Sequence, residues 1–323
     1  MRKQRTILPL YFTTILFFSA PVLVPRWILF ILTLALAKFI GVLGVALFLR
    51  GGLVSLGHAL FLGAGAYTAG LLIKWFGIRE AFFYLFLGPA CGALIAALFG
   101  AIIARYRGVF FAMINLAFSM ILYSVLLKFY WLTGGTDGIS IGTPSFLGIT
   151  PAKEALQHIL YYFVLISAGI ATYATYRFLE SPLGYFLKAL NDNEIRIEYS
   201  GESVQKIIFI TYIFSGALGG LAGVLVSFSV GHIVPELTFF LQSAELLMIA
   251  LLGGIGSVFG TLFGAIAFEF IRTYAYKYSP ETWQMTLGII MLFLILYQPG
   301  GIWAIYESLV AKFRSRWERV KVG

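Results

Sequence analysis

Ile233–Ile271 reads IVPELTFFLQSAELLMIALLGGIGSVFGTLFGAIAFEFI, and how often this stretch crosses a bilayer decides the fold. A helix needs roughly 20 apolar residues to span the hydrocarbon. The stretch is long for one crossing and tight for two. Glu245 lies in its first half and Glu269 near its far end, with Gly253-Gly-Ile-Gly-Ser257 between them. Gly253, Gly254 and Gly256 are the candidate hinge, because glycines let a chain bend and let backbones approach closely.

The chain around it is built for lipid. Of 323 residues, 60% are hydrophobic and 11% charged, against about 25% charged in soluble domains. The mean hydropathy is +0.92. The apolar runs far exceed the ~10 residues of a barrel strand, so they are helices. Further spans are expected at 7–24, 27–49, 53–73, 82–104, 109–132, 158–179, 207–230 and 283–304. No cleavage pattern stands before Pro25, so 7–24 is taken as the first span.

Charge parity favours two crossings of 233–271. With Arg2, Lys3 and Arg5 in the cytosol, Arg50, Arg105, Arg107, Arg177, Lys188, Arg196 and Lys206 are cytosolic too. Two crossings also place the tail bearing Lys312, Arg314, Arg316, Arg319 and Lys321 there. One crossing puts that tail outside and erases the asymmetry, against the positive-inside rule. The expectation is an all-α, polytopic integral membrane protein of about ten transmembrane helices, with a broken helix pair near 233–271. It forms one transmembrane domain over 1–323, multi-pass in the cell (inner) membrane, with both termini cytoplasmic.

The longest charged interruption, Ser181-PLGYFLKALNDNEIRIEYS-Gly201, lies in a cytosolic loop, 180–206. Pro182 suits a helix start. Apolar residues recur at Phe186, Leu187, Leu190 and Ile197 among Lys188, Asp192, Glu194, Arg196 and Glu198, the pattern of one amphipathic helix over 183–199. Gly201 is a natural stop. Such a helix either docks on a protein partner or floats on headgroups.

Within the spans, ionisable and polar groups are site candidates by default. His58, near Ser55 and Tyr67, either lines a path or is satisfied by a backbone carbonyl near the cytosolic interface. Its early place in the span favours the carbonyl. Glu245 either faces a path or pairs with a cation. Glu269 is expected to pair with Arg272 one turn on. Lys38 lies mid-span and either snorkels, pairs with a carboxylate or faces a subunit partner.

Several classes fall away. The net charge of +9 sits in loops flanking spans, where it orients the chain, so no nucleic acid is expected. There is no G-x-x-x-x-G-K-[ST] loop for ATP. The three histidines, His58, His158 and His232, are far apart, which argues against a metal-dependent or acid–base enzyme. Intramembrane carboxylates are few and unclustered, which argues against a stand-alone secondary transporter. No cofactor or metal is expected.

Four segments together resemble the LivM-type permease subunits of ATP-binding-cassette importers for branched-chain amino acids. They are Ser55-LGHALFLGAGAYT-Ala69; Ala104-RYRGVFF-Ala112 with Asn115-LA-Phe118 and Leu132-TGGTD-Gly138; Ser181-PL-Gly184 through Asn191-DN-Glu194 to Gly201; and Gly253-GIG-Ser257 with Gly260 and Gln298-PG-Gly301. Their order covers about residues 40–305. The stretch before Ser55, Phe48-LRGGL-Val54, departs from the family's pattern, as does Tyr199-Ser-Gly201.

The resemblance implies a non-catalytic translocation subunit. Its partners would be two ATPase subunits, a homologous second permease subunit, an extracytoplasmic solute-binding protein and membrane lipid. It makes the 180–206 loop a coupling helix that meets an ATPase through Gly184, Leu187, Leu190, Asn193, Glu194 and Gly201. For such a subunit Ser55, His58, Tyr67 and Glu245 are the candidate residues along the substrate pathway, by the default reading of polar groups within spans and, for Glu245, by its similarity to an acidic residue of the family. Urea or short amides are the alternative cargo.

Overall fold

The computed structural model describes residues 17–304, apart from 22 and 299. Residues 7–16 of the expected first span and the basic tail after 304 lie outside the described residues. Besides one turn at Tyr130–Thr133, the helices among the described residues include α1 (Arg26–Arg50), α2 (His58–Phe76), α3 (Ala81–Ile103), α4 (Gly108–Lys128), α5 (Lys153–Leu179), α6 (Pro182–Asp192), α7 (Glu194–Tyr199), α8 (Val204–Val230), α9 (Phe240–Gly253), α10 (Val258–Tyr278) and α11 (Trp283–Tyr297). Among the described residues, seven helices are long and apolar enough to cross a membrane; α9 and α11 are shorter apolar helices. The protein is all-α and polytopic.

The middle of the bundle is α1 and α8. Every residue of α1 from Ala35 to Phe48 is buried, as expected of a helix that is apolar all round and enclosed by others. Helix α8 packs on α1, α2 and α3 through small residues. A Cβ on Gly220 would collide with the carbonyl oxygen of Gly88, and one on Gly223 with that of Leu62. Glycine at these positions lets the backbones touch, which is how membrane helices gain packing without a hydrophobic drive between them. By contrast, α3 and α4 turn Phe86, Leu94, Leu98, Val109, Phe110 and Met113 outward, the surface lipid would cover.

Contacts between loops define the two ends of the bundle. At one end, the Arg50 side chain donates to the Ile255 carbonyl at 2.9 Å, Gly51 lies on Leu187, and Arg107 pairs with Glu194 at 3.0 Å. Gly254 meets Gly300 and Gly301 at this end as well. The basic residues of the 50–57, 104–107 and 180–206 loops gather here, so we term it the inner end. At the outer end β1 (Ile139–Ser140) pairs antiparallel with β2 (His232–Ile233). There Glu80 holds the 145–148 turn: its carboxylate accepts from Leu147 N–H at 2.6 Å, Gly148 N–H at 3.0 Å and the Ser145 hydroxyl at 3.1 Å.

The stretch 233–271 enters the bundle twice, as α9 and α10. Its break, Gly254–Ser257, is at the inner end beside Arg50. The chain first comes down from the outer end without a helix. Residues Val234–Phe239 form an extended entry and one 3-10 turn (Pro235–Thr238). Thr238 packs against Gly63 of α2, and its carbonyl accepts from Ser119, in the middle of α4, at 2.7 Å. With 14 residues, α9 is about 21 Å long, too short to span alone. Non-helical backbone at this depth is tolerated because it lies in protein.

Two sequence expectations shift. The span expected at 53–73 starts as a helix only at His58, since Gly51 and Gly52 turn the chain, Gly52 with φ of +71°. The single amphipathic helix expected over 183–199 is two helices. Asn193 is extended (φ −168°, ψ 111°) and its Oδ1 accepts from the N–H groups of Ile195 at 2.9 Å and Arg196 at 3.3 Å, so it ends α6 and caps α7. Asparagine prefers such a cap to a helix interior.

Candidate functional site

The inner-end element α6–α7 is built from its sequence in an ordered way. Ser181 accepts from Gly184 N–H and Pro182 opens α6. Gly201 closes α7 at φ +85°, with its N–H donated to the Glu198 carbonyl at 3.0 Å. Leu187, Leu190 and Ile197 are buried in a core shared with Phe48, Leu53, Ile103 and Tyr212 of this same chain. Gly184 lies against Phe178 and Leu179, where a Cβ would collide with backbone. The apolar face of this element is therefore spent on the chain's own spans. The opposite face is open: Tyr185 is 66% exposed, Ile195 60% and Tyr199 88%. Glu194 is fixed by Arg107 of the α3–α4 turn.

Of the four residues expected along a pathway, three are bonded inside the protein. His58 is fully buried; its ring nitrogens contact the Ser55 hydroxyl at 2.9 Å and the Ser215 hydroxyl at 2.6 Å. The expected backbone partner is present, at Gly44 of α1, and the two serines add to it; Phe48 and Phe61 meet the ring edge-on. Close by, Tyr212 donates to Asn115 Oδ1 at 2.6 Å. Glu245 is held by Lys38 and, at 3.3 Å, by Arg272.

Tyr67 differs. It is 4% exposed and its hydroxyl has no hydrogen-bond partner. It lies on the α2 face that carries Gly63 and Gly70, which meet Thr238 and Ile233 of the descending segment.

Against the expectation of unclustered carboxylates, Glu245 and Glu269 share one charge cluster, because the fold brings α9 and α10 together on Lys38 of α1. Lys38 Nζ of α1 lies between Glu245 of α9 and Glu269 of α10, 2.6 Å from the latter. Arg272 is 3.6 Å from Glu269, the expected one-turn pair. Its guanidinium also lies over the Trp283 ring of α11 at 5.5 Å. Two cations and two carboxylates leave no net charge, so mid-membrane burial is compensated. The pairing of Lys38 was open from sequence; only the fold brings residues so far apart in the chain together. The descending segment Val234–Phe239 was also missed, although Pro235 followed by Glu236 and Thr238 inside an apolar run is a signal that no helix continues there.

Comparison with known proteins bears on what this arrangement does. A family model described as branched-chain amino acid transport system / permease component matches residues 27–296. The chain is 30% identical to the high-affinity branched-chain amino acid transport system permease protein LivM of Escherichia coli, over 87% of this chain and 71% of that protein. It is 30% identical to the LivM protein of Salmonella typhimurium, over 78% of this chain and 64% of that protein. A shorter match, 41% of this chain and 39% of the other at 30% identity, is to the ribose import permease protein RbsC of Haemophilus influenzae. No solved structure matches.

Proposed function

We propose a function for this chain from its family: it belongs to the permease components of branched-chain amino acid transport systems. It is the membrane-spanning subunit of an ATP-binding-cassette importer in the cell inner membrane, and its cargo is branched-chain amino acids. An extracytoplasmic binding protein delivers the substrate at the outer end, and a homologous second permease completes the pathway. ATP is hydrolysed on two partner ATPase subunits at the inner end. Both termini of this chain are cytoplasmic.

The observation that carries the reading is the two-sided α6–α7 element. Its buried face joins it rigidly to α1, α3 and α8, while Tyr185, Ile195 and Tyr199 stand exposed beyond the spans. An ATPase that grips the exposed face moves the buried one, and with it the spans. Gly184, Leu187 and Leu190 then transmit, Asn193 and Glu194 set the angle of α7, and Gly201 ends it. The Gly253, Gly254 and Gly256 turn is the hinge on the same side. Of the expected pathway residues, Tyr67, whose hydroxyl has no partner, stays on the pathway, while Ser55, His58 and Glu245 hold the helices in place.

The test is co-purification of the ATPase subunits with the permease. Tyr199→Asp together with Ile195→Asp should leave the permease abundant in the membrane and lose the ATPases. Retention of the ATPases at wild-type level by that double variant sinks the docking face, and a wild type that never binds an ATPase sinks the importer reading.

A further inference from the structure

The descending segment and the start of α9 have unused binding capacity, and its chemistry is specific. Helix α9 begins at Phe240, packed beside the middle of α4, and no side chain caps it: the N-cap position is Phe239, with no side-chain hydrogen bond. The first amide groups of a helix have no partner within it and carry partial positive charge, so they bind carboxylates. Half-helices that start inside a membrane use this end for anionic substrate groups.

A second, independent observation comes from α2, which packs on the segment leading into α9. The Tyr67 hydroxyl is buried and unpartnered, which costs free energy unless something pairs with it. Its helix face meets Ile233 and Thr238. Glu236, exposed and next to Pro235, is close enough for its charge to act on that hydroxyl. The rings of Tyr123 and Phe239 are 5.0 Å apart and those of Phe239 and Phe240 4.7 Å, forming an aromatic wall beside the helix start.

We propose that this junction is a subsite for the zwitterionic head of the carried α-amino acid. The carboxylate meets the N–H groups of Phe240 and Leu241 in the first turn of α9, since the Gln242 N–H already donates to the Phe239 carbonyl at 2.9 Å. The ammonium lies between the Glu236 carboxylate and the Tyr67 oxygen, which accepts from it. The Tyr67 O–H donates to the substrate carboxylate, since a phenol can do both. The aliphatic side chain lies on Tyr123, Phe239 and Phe240. An anion alone would be repelled by Glu236, and a cation alone by the helix start. A neutral sugar leaves both charges without a complement, so a zwitterion is the class that satisfies the two together. This assignment rests on the amino-acid importer reading above.

The experiment uses the assembled importer in lipid nanodiscs and a diazirine analogue of leucine, with labelled residues mapped by mass spectrometry. Light should label the 234–241 peptide or Tyr123. Leucine should compete, while leucinamide and 4-methylpentanoate, each lacking one charge, should not at the same concentration. Tyr67→Phe should weaken the competed label about fivefold and Glu236→Gln about tenfold or more. Tyr67→Phe should not lower the melting temperature, because it removes an unsatisfied polar atom; a purely structural tyrosine hydroxyl would lower it and leave labelling alone. If the wild type imports leucine but label at 234–241 and Tyr123 is not competed, the subsite is overturned and the importer stands. If the wild-type complex carries no branched-chain amino acid, the importer reading falls and the subsite with it.

Discussion

Lys38 is the residue on which the charge cluster turns, because it touches both carboxylates while Arg272 is partly exposed. Replacing it leaves Glu245 and Glu269 facing each other with Arg272, at 3.3 and 3.6 Å, as the one remaining cation of the cluster. Breaking a buried ion pair from one side costs about 3–5 kcal/mol, so Lys38→Met should lower the melting temperature of the purified protein steeply. Adding Glu269→Gln removes the uncompensated charge and should recover part of the loss. A double variant no more stable than the single one would show that the cluster does not act as a unit.

Glu80 makes a prediction of the opposite kind, in acid. The backbone N–H of Gly148 above all, with that of Leu147 and the Ser145 hydroxyl, holds its carboxyl below the usual carboxylate range. Because the folded value lies below the unfolded one, this contribution is fully present above about pH 4.3. It is lost as pH falls through the lower, folded value. Protease should begin to cut the 145–149 turn only on acidification, and Glu80→Gln should be cut alike at acid and neutral pH. Acid-dependent cutting that persists in Glu80→Gln would remove this tie as the cause. Of these residue-level features, the Glu269–Arg272 pair was legible, since it needs only helix spacing. The Glu80 cage was not, because its donors come from backbone far along the chain.

At the scale of elements, hydropathy located the helices but not how they end. Amphipathic spacing identified 183–199 as a helix with a face to bury, and Gly201 as its end. It could not tell a face buried on a partner from one buried on the chain's own spans, for both need the same apolar residues. Asn193 held the better clue, as a cap residue in mid-pattern. Asn193→Ala should cost about 1 kcal/mol through the lost cap and let α7 swing. ATPase retention should then fall without loss of permease from the membrane. Unchanged retention would mean that the angle of α7 does not matter to docking.

The glycine turn offers the complementary case. Gly254 has φ of +94°, a region that side chains strain to enter, at about 1–3 kcal/mol, and its surroundings include the Gly300 carbonyl. Gly254→Leu should insert normally but import slowly, read as uptake per permease in vesicles. Normal uptake at normal abundance would take the hinge out of the mechanism.

At the scale of the whole molecule, what was legible followed from solvent. Lipid requires apolar helices of known length, and the basic residues order their ends. What was not legible was the depth of each piece, because α9 is a half-span completed by a non-helical entry. A hydropathy window cannot distinguish that from a short helix.

The arrangement fixes sides that can be measured. The loops at 50–57, 104–107, 180–206 and 254–257 share one end, joined by Arg50 to Ile255 and by Arg107 to Glu194. The 145–149 turn and the β1–β2 pair share the other, with Glu80. The single native cysteine, Cys91, makes labelling clean once replaced by alanine. In that background a cysteine at Tyr199 and one at Ile255 should react together with a membrane-impermeant maleimide from the cytosolic side only. One at Leu147, which is 80% exposed, should react from the outer side only. Because α9 does not cross alone, a cysteine at Glu236 should behave like the one at Leu147. If Ile255 instead labels with Leu147, the glycine turn lies at the outer end. The double entry of 233–271 would then be wrong, and with it the inner-end partnership of hinge and coupling element.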